Sequence, residues 1–493
     1  MKLTRDFHIA LIVVAAITLA RVVVLFASPL DLYPDEAQYW WWAVHPDWGY
    51  FSKPPFIAWL IGATTSLCGD GEACIRLGSP LLHGATALVL FAIGRLLYDA
   101  RTGMWCALAY ITVPGVSYSS GLISTDVPLL FFWSVALLAF LKAMHVSGRA
   151  GLGWAALCGT AIGFGLLSKY AMLYFVLGVA LASLISSETR RLTLSPRGLL
   201  IALLALLIVA PNLLWNASHG FATVAHTANN ADWQRGSLHL LGSLEFLVGQ
   251  FGVFGPLMMA AYLYALWGVA RRKDKSETSR LLLCFSLPAL AIIVCQAAIA
   301  NANANWAAPA YIAAAPLAVR TLMEVLRGLA LRASLVFNSL AMLAMMAFAV
   351  SPSLAAQAGF ANTYKRMEGW RELGAKVSSE AVAGHYQAIV TDNRSVMASL
   401  LYYTRPRTIP VLIWNRDQRV TNHFEMTAPL TPEVTGRVLL ITDKPDPSNV
   451  LRSFTRSRLT GDFTADLGGG KRRITHLYEA EGYRGPTVSD RDR

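Results

Sequence analysis

Apolar runs of membrane-spanning length recur along this chain up to about residue 350, and they constrain its fold more than any other feature. A transmembrane helix needs roughly 20 predominantly apolar residues, and about eleven runs approach that length. Because a spanning segment must satisfy its own backbone hydrogen bonds, the sequence predicts a multi-span α-helical protein with about 11–13 transmembrane helices. The runs lie at residues 7–29, 77–98, 103–121, 127–145, 153–168, 170–187, 199–215, 242–270, 281–300, 306–323 and 333–351.

The composition agrees with a membrane protein and excludes a soluble enzyme built on one core. The chain has 493 residues, of which 55% are hydrophobic and 15% charged, whereas a soluble domain has about 25% charged residues. Its net charge of +12 is typical of basic cytoplasmic loops that face anionic lipid. No aromatic-rich basic module indicates a nucleic-acid partner.

Lysine and arginine are concentrated in every second connection between the apolar runs. By the positive-inside rule, the N-terminus is cytoplasmic, while the first loop, at about residues 30–76, and everything after about residue 352 lie outside. The first run is long enough to span, so we interpret it as a retained helix and not as a cleaved signal. The basic connections contain Arg101, Arg149, Arg190, Arg191, Arg197, Arg271, Arg272, Lys273, Lys275, Arg280, Arg320, Arg327 and Arg332.

The first outer loop is predicted to hold two interfacial helices. Residues 35–44 are rich in tryptophan and tyrosine, which favour the membrane interface, and residues 56–66 follow two prolines that favour a helix start. In the same loop Cys68 and Cys74 flank a short polar turn. They form a local disulfide if the loop faces an oxidising compartment, and two free thiols are the alternative.

The composition changes after residue 352, which divides the predicted membrane domain, residues 1–352, from a small α/β domain at residues 353–483. Strand-like runs occur at residues 387–391, 408–413 and 437–442, with a helical stretch at 395–402. Residues 484–493 are predicted to be a disordered tail. The polar loop at residues 216–240, which carries Asp232 and Trp233, is predicted to be partly ordered.

Two acidic positions at the edges of apolar runs are candidate catalytic groups. Asp35 and Glu36 follow the first run, and Asp126 opens the fourth. Ionisable groups at a membrane edge are usually functional, and a carboxylate held near a cation can take a proton from a hydroxyl. The alternatives are a solvated interfacial carboxylate or a helix N-cap at Asp35, and a helix N-cap at Asp126.

Two lysines are candidate phosphate ligands. Lys53 precedes Pro54 and Pro55, which hold the backbone extended, and it is either a point charge for a phosphate or an interfacial lysine that snorkels to headgroups. Lys169 lies inside a continuous apolar stretch, so it needs a membrane boundary or an anionic partner, such as a headgroup or Asp126. On the predicted topology these acids and lysines share the outer face, which suits a reaction at a lipid-borne phosphate.

Six motifs, in this order along the chain, resemble the GT-C class of polytopic glycosyltransferases, in the branch of the lipid A aminoarabinose transferases and protein O-mannosyltransferases. The resemblance covers most of the membrane part and implies the GT-C fold in a bacterial inner membrane, with a periplasmic C-terminal domain. The motifs are residues 35–40 (DEAQYW), 49–60 (GYFSKPPFIAWL), 76–77 (RL), 125–129 (TDVPL), 167–170 (LSKY) and 305–311 (NWAAPAY).

The resemblance also implies roles for individual residues. Asp35 would be the catalytic acid that follows the first span, Lys53 would bind the donor phosphate, Asp126 would line the active site, and Lys169 would face the phosphate. The family often has an acid or histidine where this chain has Ser52, so no acidic role is carried to that position. Glu36 is grouped with the catalytic acids. Further residues predicted to line the substrate site are Tyr33, His45, Tyr50, Asn305 and Trp306.

The predicted function is transfer of a sugar from a polyprenyl-phosphate donor to a cell-envelope acceptor, such as lipid A or lipopolysaccharide core, with inversion and with Asp35 as the base. A protein O-glycosyltransferase shares this mechanism with another acceptor, and a flippase or transporter of lipid-linked sugars is the alternative of another class. A helix cap with an aromatic anchor is the simpler interpretation of Asn305 and Trp306. No histidine spacing indicates a metal ligand set; a divalent metal is compatible with the family, but no cofactor is predicted.

Overall fold

Two compact units make up the computed structural model, which describes residues 5–231, 239–417 and 419–485. The membrane unit comprises Met1–Ala27, Lys53–Leu60 and Arg76–Met346, and the sheet unit comprises Ser28–Ser52, Ile61–Ile75 and Ala347–Arg493. The domain boundaries predicted from the sequence stay a prediction. Asp232, Trp233 and nearly all of the predicted disordered tail lie outside the described residues.

The chain up to residue 350 is built almost entirely from helices, as its apolar runs predict. Most helices begin or end within a few residues of the predicted bounds. The helices are α1 Arg5–Ala27, α2 Pro34–Val44, α3 Phe56–Cys68, α4 Glu72–Arg76, α5 Gly78–Leu97, α6 Ala100–Thr112, α7 Pro114–Ser119, α8 Asp126–His145, α9 Gly148–Ser168, α10 Leu173–Ile185, α11 Ser187–Thr193, α12 Pro196–Ser218, α13 Ala222–Ala231, α14 Leu240–Phe254, α15 Pro256–Ala270, α16 Glu277–Ile299, α17 Ala310–Glu324 and α18 Leu329–Val350.

Membrane-spanning helices dominate the described part of the chain. By length and composition, seven helical segments there can cross a membrane, or eight if α14 and α15 count as one bent span. The predicted multi-span α-helical architecture is therefore confirmed, and the exact number of spans stays a prediction. Helices are present at both positions predicted in the first outer loop, as α2 and α3, and their location at the membrane interface stays a prediction.

Two of the predicted runs are not single continuous helices, and the chain also leaves helical geometry between two further runs. The run at 242–270 bends by 117° between α14 and α15, where Gly255 has a φ of +89° that glycine adopts without strain. The run at 103–121 is interrupted before Pro114, whose ring cannot continue the helix. The stretch across Ser168 and Lys169 leaves helical geometry at Lys169 (φ −164°, ψ 135°).

Small residues allow the helices of the membrane unit to approach closely. At the α5–α6 contact, a Cβ on Gly103 would lie 2.4 Å from the carbonyl oxygen of Phe91, and one on Gly94 would lie 2.9 Å from the Gly103 Cα. No side chain larger than hydrogen fits at either position without a shift of the backbone. This type of packing drives helix association in membranes, where hydrophobic burial between helices contributes little.

The sheet unit contains one five-stranded sheet. Its strands are β1 Ala388–Thr391, β2 Val411–Ile413, β3 Val438–Thr442, β4 Phe454–Asp466 and β5 Arg472–Tyr483, in the order β2-β1-β3-β5-β4. The three buried strands β1, β2 and β3 are parallel, and β5 pairs antiparallel with β3 and β4. The helices after residue 350 are α19 Pro352–Gln357, α20 Ala361–Tyr364, α21 Trp370–Ala383, α22 Arg394–Tyr403, α23 His423–Thr427 and α24 Ser448–Leu451.

The sequence prediction finds the parallel strands and α22 but misses the β4–β5 hairpin. The parallel strands are short, apolar and buried, and such runs are recognisable. Strand β4 is mostly exposed and rich in arginine, threonine and aspartate, so it lacks a buried face that would reveal its period.

The first outer loop is part of the sheet unit because polar contacts hold it there. The Asp31 carboxylate accepts hydrogen bonds from the backbone N–H groups of Trp370 (2.8 Å) and Arg371 (3.2 Å), at the start of α21. The Arg371 guanidinium also pairs with Glu72 at 2.6 Å. Within the same loop Cys68 and Cys74 form a disulfide, the first of the two predicted alternatives.

Candidate active site

Asp126 and Lys169 form an ion pair inside the membrane unit. The Lys169 ammonium group donates a hydrogen bond to Asp126 Oδ1 over 2.7 Å, and the two side chains are 8% and 19% exposed for aspartate and lysine respectively. The Asn305 amide donates to the other oxygen, Asp126 Oδ2, also over 2.7 Å. One buried carboxylate therefore joins three distant parts of the sequence.

Each of these three residues lies where a helix begins or ends. Asp126 is the first residue of α8, Lys169 follows the last residue of α9, and Asn305 lies in a short 3-10 turn, Ala304–Ala307, that precedes α17. Polar side chains at helix ends can converge because the backbone there is irregular and leaves the helix cylinder. The three clustered residues are therefore polar side chains at points where the apolar helices begin or end.

The N-cap interpretation of Asp126 is wrong. Thr125 occupies the N-cap position of α8, and the Asp126 carboxylate accepts from Lys169 and Asn305. Of the two partners predicted for Lys169, the structure shows Asp126. An ammonium group has three N–H donors, and Asp126 takes one of those on Lys169.

Lys53 also belongs to the membrane unit. Its side chain is half-buried, and it directly precedes the buried Pro54 and Pro55 that lead into α3. A proline fixes its own φ angle and also restricts the residue before it. Pro54 and Pro55 therefore limit the backbone conformations of Lys53 and of the start of α3. The backbone at Lys53 is thereby restricted, as the motif predicts.

Asp35 lies in the sheet unit and is held by an arginine that the sequence did not indicate. Arg394 Nη2 donates to Asp35 Oδ1 at 2.9 Å, and Arg394 Nη1 donates to the Gln38 side-chain oxygen at 2.6 Å. Among the described residues Arg394 is the hydrogen-bonding partner of the Asp35 side chain. The second carboxylate oxygen, Oδ2, has no hydrogen-bonding partner among the described residues.

Glu36 has a different environment from Asp35, although the two are adjacent in sequence. The Glu36 carboxylate accepts a hydrogen bond from the backbone N–H of Tyr33 at 2.8 Å, and the residue is 1% exposed. This contact closes the first turn of α2, where Tyr33 is the N-cap and Pro34 the first helical residue. Asp35 is therefore not the N-cap of this helix, contrary to one alternative, and Glu36 serves the helix start.

Replacing Glu36 by glutamine is expected to leave most of the activity intact. The amide oxygen still accepts from the Tyr33 N–H, so the first turn of α2 keeps its hydrogen bond. We expect kcat within about 10-fold of the wild type, which is less than the loss of a general base produces. A loss of kcat of about 10²-fold or more in an assay of the predicted sugar transfer would give Glu36 a direct part in the reaction.

The side chain of Tyr50 stabilises the loop after α2. Its ring stacks on Trp42 with centroids 4.4 Å apart, and its hydroxyl donates to the Trp42 carbonyl and accepts from the Asp47 N–H, both at 3.0 Å. The residue is 2% exposed, and burial raises its pKa. A substrate-lining role for Tyr50 stays a prediction, and its burial supports a structural role.

His423 completes this aromatic cluster from the short helix α23. Its ring lies edge-on to Trp42 and Tyr50, at centroid distances of 5.3 and 5.7 Å. Burial, followed by the nearby His45, lowers the pKa of His423 from 6.5 to about 4. The imidazole is therefore neutral in the folded sheet unit at neutral pH.

Acidification is expected to loosen the packing around α2. Between about pH 6.5 and pH 4 the unfolded chain binds a proton at His423 that the folded protein excludes, so the free energy of unfolding falls as the pH falls. The full loss is about 3 kcal/mol. Hydrogen exchange of the α2 amides at pH 4.5 and 7.5 measures it. His423→Phe should flatten this dependence, and an unchanged slope in that variant would contradict the assignment.

The other residues predicted to line the site fall into different environments. The Tyr33 hydroxyl accepts a hydrogen bond from Arg366. His45 is exposed, and its Nδ1 lies 2.9 Å from the Trp41 carbonyl oxygen. Trp306 packs half-buried against the core of the membrane unit, which agrees with an aromatic anchor beside the Asn305 contact. Their contacts with a substrate stay predictions.

No three histidine, cysteine, aspartate or glutamate side chains converge on a metal-sized site anywhere in the described ranges 5–231, 239–417 and 419–485. The candidate site residues are carboxylates, lysines and one arginine.

Comparison with known proteins identifies the family. The family model of dolichyl-phosphate-mannose-protein mannosyltransferases matches residues 52–215. The lipid A galacturonosyltransferase RgtD of Rhizobium johnstonii is 38% identical over 437 residues, which are 88% of this chain and 90% of that protein. The chain belongs to the GT-C glycosyltransferases. The family prediction and the prediction of glycosyltransferase activity are confirmed.

Solved structures support the same fold for this glycosyltransferase. ArnT from Cupriavidus metallidurans in the apo state aligns with a TM-score of 0.68 over 94% of this chain and 97% of that one, at 16% identity. ArnT bound to undecaprenyl phosphate aligns with a TM-score of 0.65 over the same shares and at the same identity. The alignment extends over nearly the whole length of both chains, so the predicted GT-C fold class is confirmed.

Sequence reasoning did not single out Arg394 or Gln38, which lie beside the candidate residue Asp35. Gln38 stands one turn after Asp35 in a helix, and that spacing is the single signal available for it. Arg394 is separated from Asp35 by 359 positions. Nothing in a single sequence links two charges over such a distance, because the pairing depends on how α22 packs.

Proposed function

We propose that this glycosyltransferase transfers a sugar from a polyprenyl-phosphate donor to lipid A at the periplasmic face of a bacterial inner membrane. The donor class is supported by the fold shared with ArnT, which binds undecaprenyl phosphate. The acceptor is supported by the identity with the lipid A galacturonosyltransferase over most of both chains. For the same reason galacturonic acid is the sugar to test first.

The observation that carries the proposal is the division of charges in the candidate site. The Lys169 ammonium group is held by Asp126, and the prolines that follow Lys53 restrict its backbone. Both lysines are assigned to the donor phosphate, where positive charge stabilises the negative charge that develops on the leaving oxygen. Asp126 holds Lys169 and, with Asn305, lines the donor site.

In the proposed reaction an acceptor hydroxyl attacks the anomeric carbon of the sugar. The new carbon–oxygen bond forms as the bond to the phosphate oxygen breaks, and that oxygen keeps the electron pair. Asp35 takes the proton of the hydroxyl through Oδ2, which Arg394 leaves available. A single displacement inverts the anomeric centre, and Glu36 contributes by fixing the first turn of the helix that carries Asp35.

Transfer can be tested with purified protein in lipid nanodiscs that contain a radiolabelled polyprenyl-phosphate galacturonic acid and lipid A. The expected product is lipid A that carries one labelled sugar of inverted configuration, identified by mass spectrometry and NMR. Label that crosses the bilayer of a proteoliposome without a new glycosidic bond would support a flippase instead. Label on an added acceptor peptide, but not on lipid A, would support a protein O-glycosyltransferase.

A further inference from the structure

Arg394 is anchored to the sheet through Asn393, the residue that precedes it. It is the first residue of α22, and the preceding Asn393 caps that helix by accepting from the Ser395 N–H at 2.7 Å. The Asn393 amide also donates to both oxygens of Asp443, at 2.9 and 3.1 Å. Asp443 directly follows β3, so the start of α22 is tied to the end of a central strand.

A neighbouring ion pair strengthens this edge of the sheet. Lys444, which follows Asp443, lies 2.8 Å from the carboxylate of Asp392 at the end of β1, whose side chain is 1% exposed. The ends of the adjacent parallel strands β1 and β3 are therefore held together. Residues at the carboxyl ends of parallel strands are the usual place for functional groups in α/β folds, because the strands fix their position.

The guanidinium of Arg394 contacts two side chains on one face of α2. Asp35 and Gln38 are three residues apart, and Arg394 reaches them at 2.9 and 2.6 Å through two different nitrogens. A planar guanidinium has donors at fixed angles, so two contacts on one helix turn define the direction of the carboxylate. A lysine at this position would supply the charge without the fixed angles.

Stability does not account for this arrangement. The side chains of Asp35 and Arg394 are 41% and 38% exposed, and an ion pair this accessible to water contributes between about 0 and 1 kcal/mol. The helices α2 and α22 are already held by apolar contacts, such as Trp40 edge-on to Tyr402 at 5.1 Å. The specific property that Arg394 adds is the orientation of one carboxylate.

We propose that Arg394 is a positioning residue for Asp35, and that orienting this carboxylate is a function of the C-terminal α/β fold. The inference rests on the proposed function, in which Asp35 is the base. Arg394 occupies Oδ1 and thereby leaves Oδ2 to accept the proton. Asn393 and Asp443 connect Arg394 to the end of β3. The sheet, which contains none of the six motifs, therefore determines the orientation of the Asp35 carboxylate.

The main experiment compares Arg394→Ala, Arg394→Lys and Gln38→Ala in the nanodisc transfer assay. Loss of orientation lowers the rate of the chemical step without changing ground-state binding. We expect Arg394→Ala to lower kcat about 30-fold with KM for donor and acceptor changed less than about 3-fold. Arg394→Lys should recover at most a small part of kcat, and Gln38→Ala should lower it by about 3-fold.

Matched controls separate positioning from a general effect on the α/β fold. Arg437 forms a comparably exposed pair with Glu479 on the same sheet, and Arg437→Gln should leave kcat unchanged. Asn393→Ala should reproduce part of the Arg394→Ala loss, because it releases the start of α22 from Asp443. Thermal unfolding of each variant, followed by tryptophan fluorescence, checks that the protein is folded.

The outcomes distinguish the inference from the proposed function on which it rests. If Asp35→Asn is inactive but Arg394→Ala retains full kcat, the positioning role is wrong and the base assignment survives. If Asp35→Asn is active, the base assignment itself fails. Full kcat in Arg394→Lys would reduce the role of the arginine to its charge, and an equal loss in Arg437→Gln would indicate a general structural effect. Either result overturns the positioning role.

Discussion

Replacing Asp35 by asparagine is expected to lower kcat for sugar transfer by about 10²–10⁴-fold, the usual contribution of a positioned general base. The amide has nearly the same shape and can still accept a hydrogen bond from Arg394, so α2 should keep its structure. It has no basic oxygen that can take the acceptor proton. Initial rates at saturating donor and acceptor measure the loss, and KM should change little.

A surface aspartate provides the control for this substitution. Asp462 is 48% exposed, compared with 41% for Asp35, and its partner is His476. Asp462→Asn removes the same charge from the sheet unit and should retain full activity. Wild-type rates in a folded Asp35→Asn variant would show that another group takes the proton, and the proposed mechanism would then be wrong.

Replacing Lys169 by methionine is expected to damage both stability and donor use. The variant leaves the Asp126 carboxylate, only 8% exposed, without its cation. An uncompensated buried charge of this kind costs about 3–5 kcal/mol. The loss of a phosphate-binding charge should also lower kcat/KM for the donor by about 10²-fold or more. Thermal unfolding in detergent and donor titrations measure the two effects.

The double variant Lys169→Met/Asp126→Asn separates stability from function. It removes both charges, so most of the lost stability should return, because a neutral pair avoids the buried unpaired carboxylate. Activity should remain low, since Lys53 is then the one proposed cation left at the donor phosphate. Lys376→Met, which breaks a pair between side chains 36% and 28% exposed, should lower stability by under about 1 kcal/mol.

Two results would contradict the assignment of Lys169. A double variant that regains activity together with stability would show that Lys169 acts only through the fold. A single variant with unchanged affinity for a non-hydrolysable polyprenyl phosphonate would show that the donor phosphate is bound elsewhere. Lys53→Met provides the comparison for donor binding. It removes the other proposed phosphate-binding lysine and leaves the Asp126–Lys169 pair intact.

The competing interpretations of single residues were resolved by contacts and not by sequence pattern. Asp126 opens an apolar helix, and a helix start is equally compatible with a cap and with an ion pair. The structure selects the pair with Lys169, whose ammonium comes from another helix end. Glu36 and Asp35 look equivalent in sequence, yet only Glu36 reaches back to the Tyr33 N–H. The direction in which each side chain leaves its helix determines which partner it contacts, and a sequence pattern does not give that direction.

By itself the sequence determined the parts of this protein that depend on local chemistry. Spanning length predicted the membrane helices, because a helix in lipid must be apolar and satisfy its own hydrogen bonds. Ordered motifs from Asp35 to Tyr311 predicted the GT-C family. The two prolines after Lys53 predicted the start of α3. Short apolar runs predicted the parallel strands β1, β2 and β3.

Tertiary structure decided which charged and polar side chains contact each other. Arg394 reaches Asp35 across 359 positions, and Asn305 reaches Asp126 across 179. These pairings arise from the packing of distant elements, which leaves no periodic or spacing signal in one sequence. The bend at Gly255 was likewise missed, because an apolar run has the same composition whether its helix is straight or turns by 117°. Sequence fixes what each segment prefers, and packing fixes the partner each side chain finds.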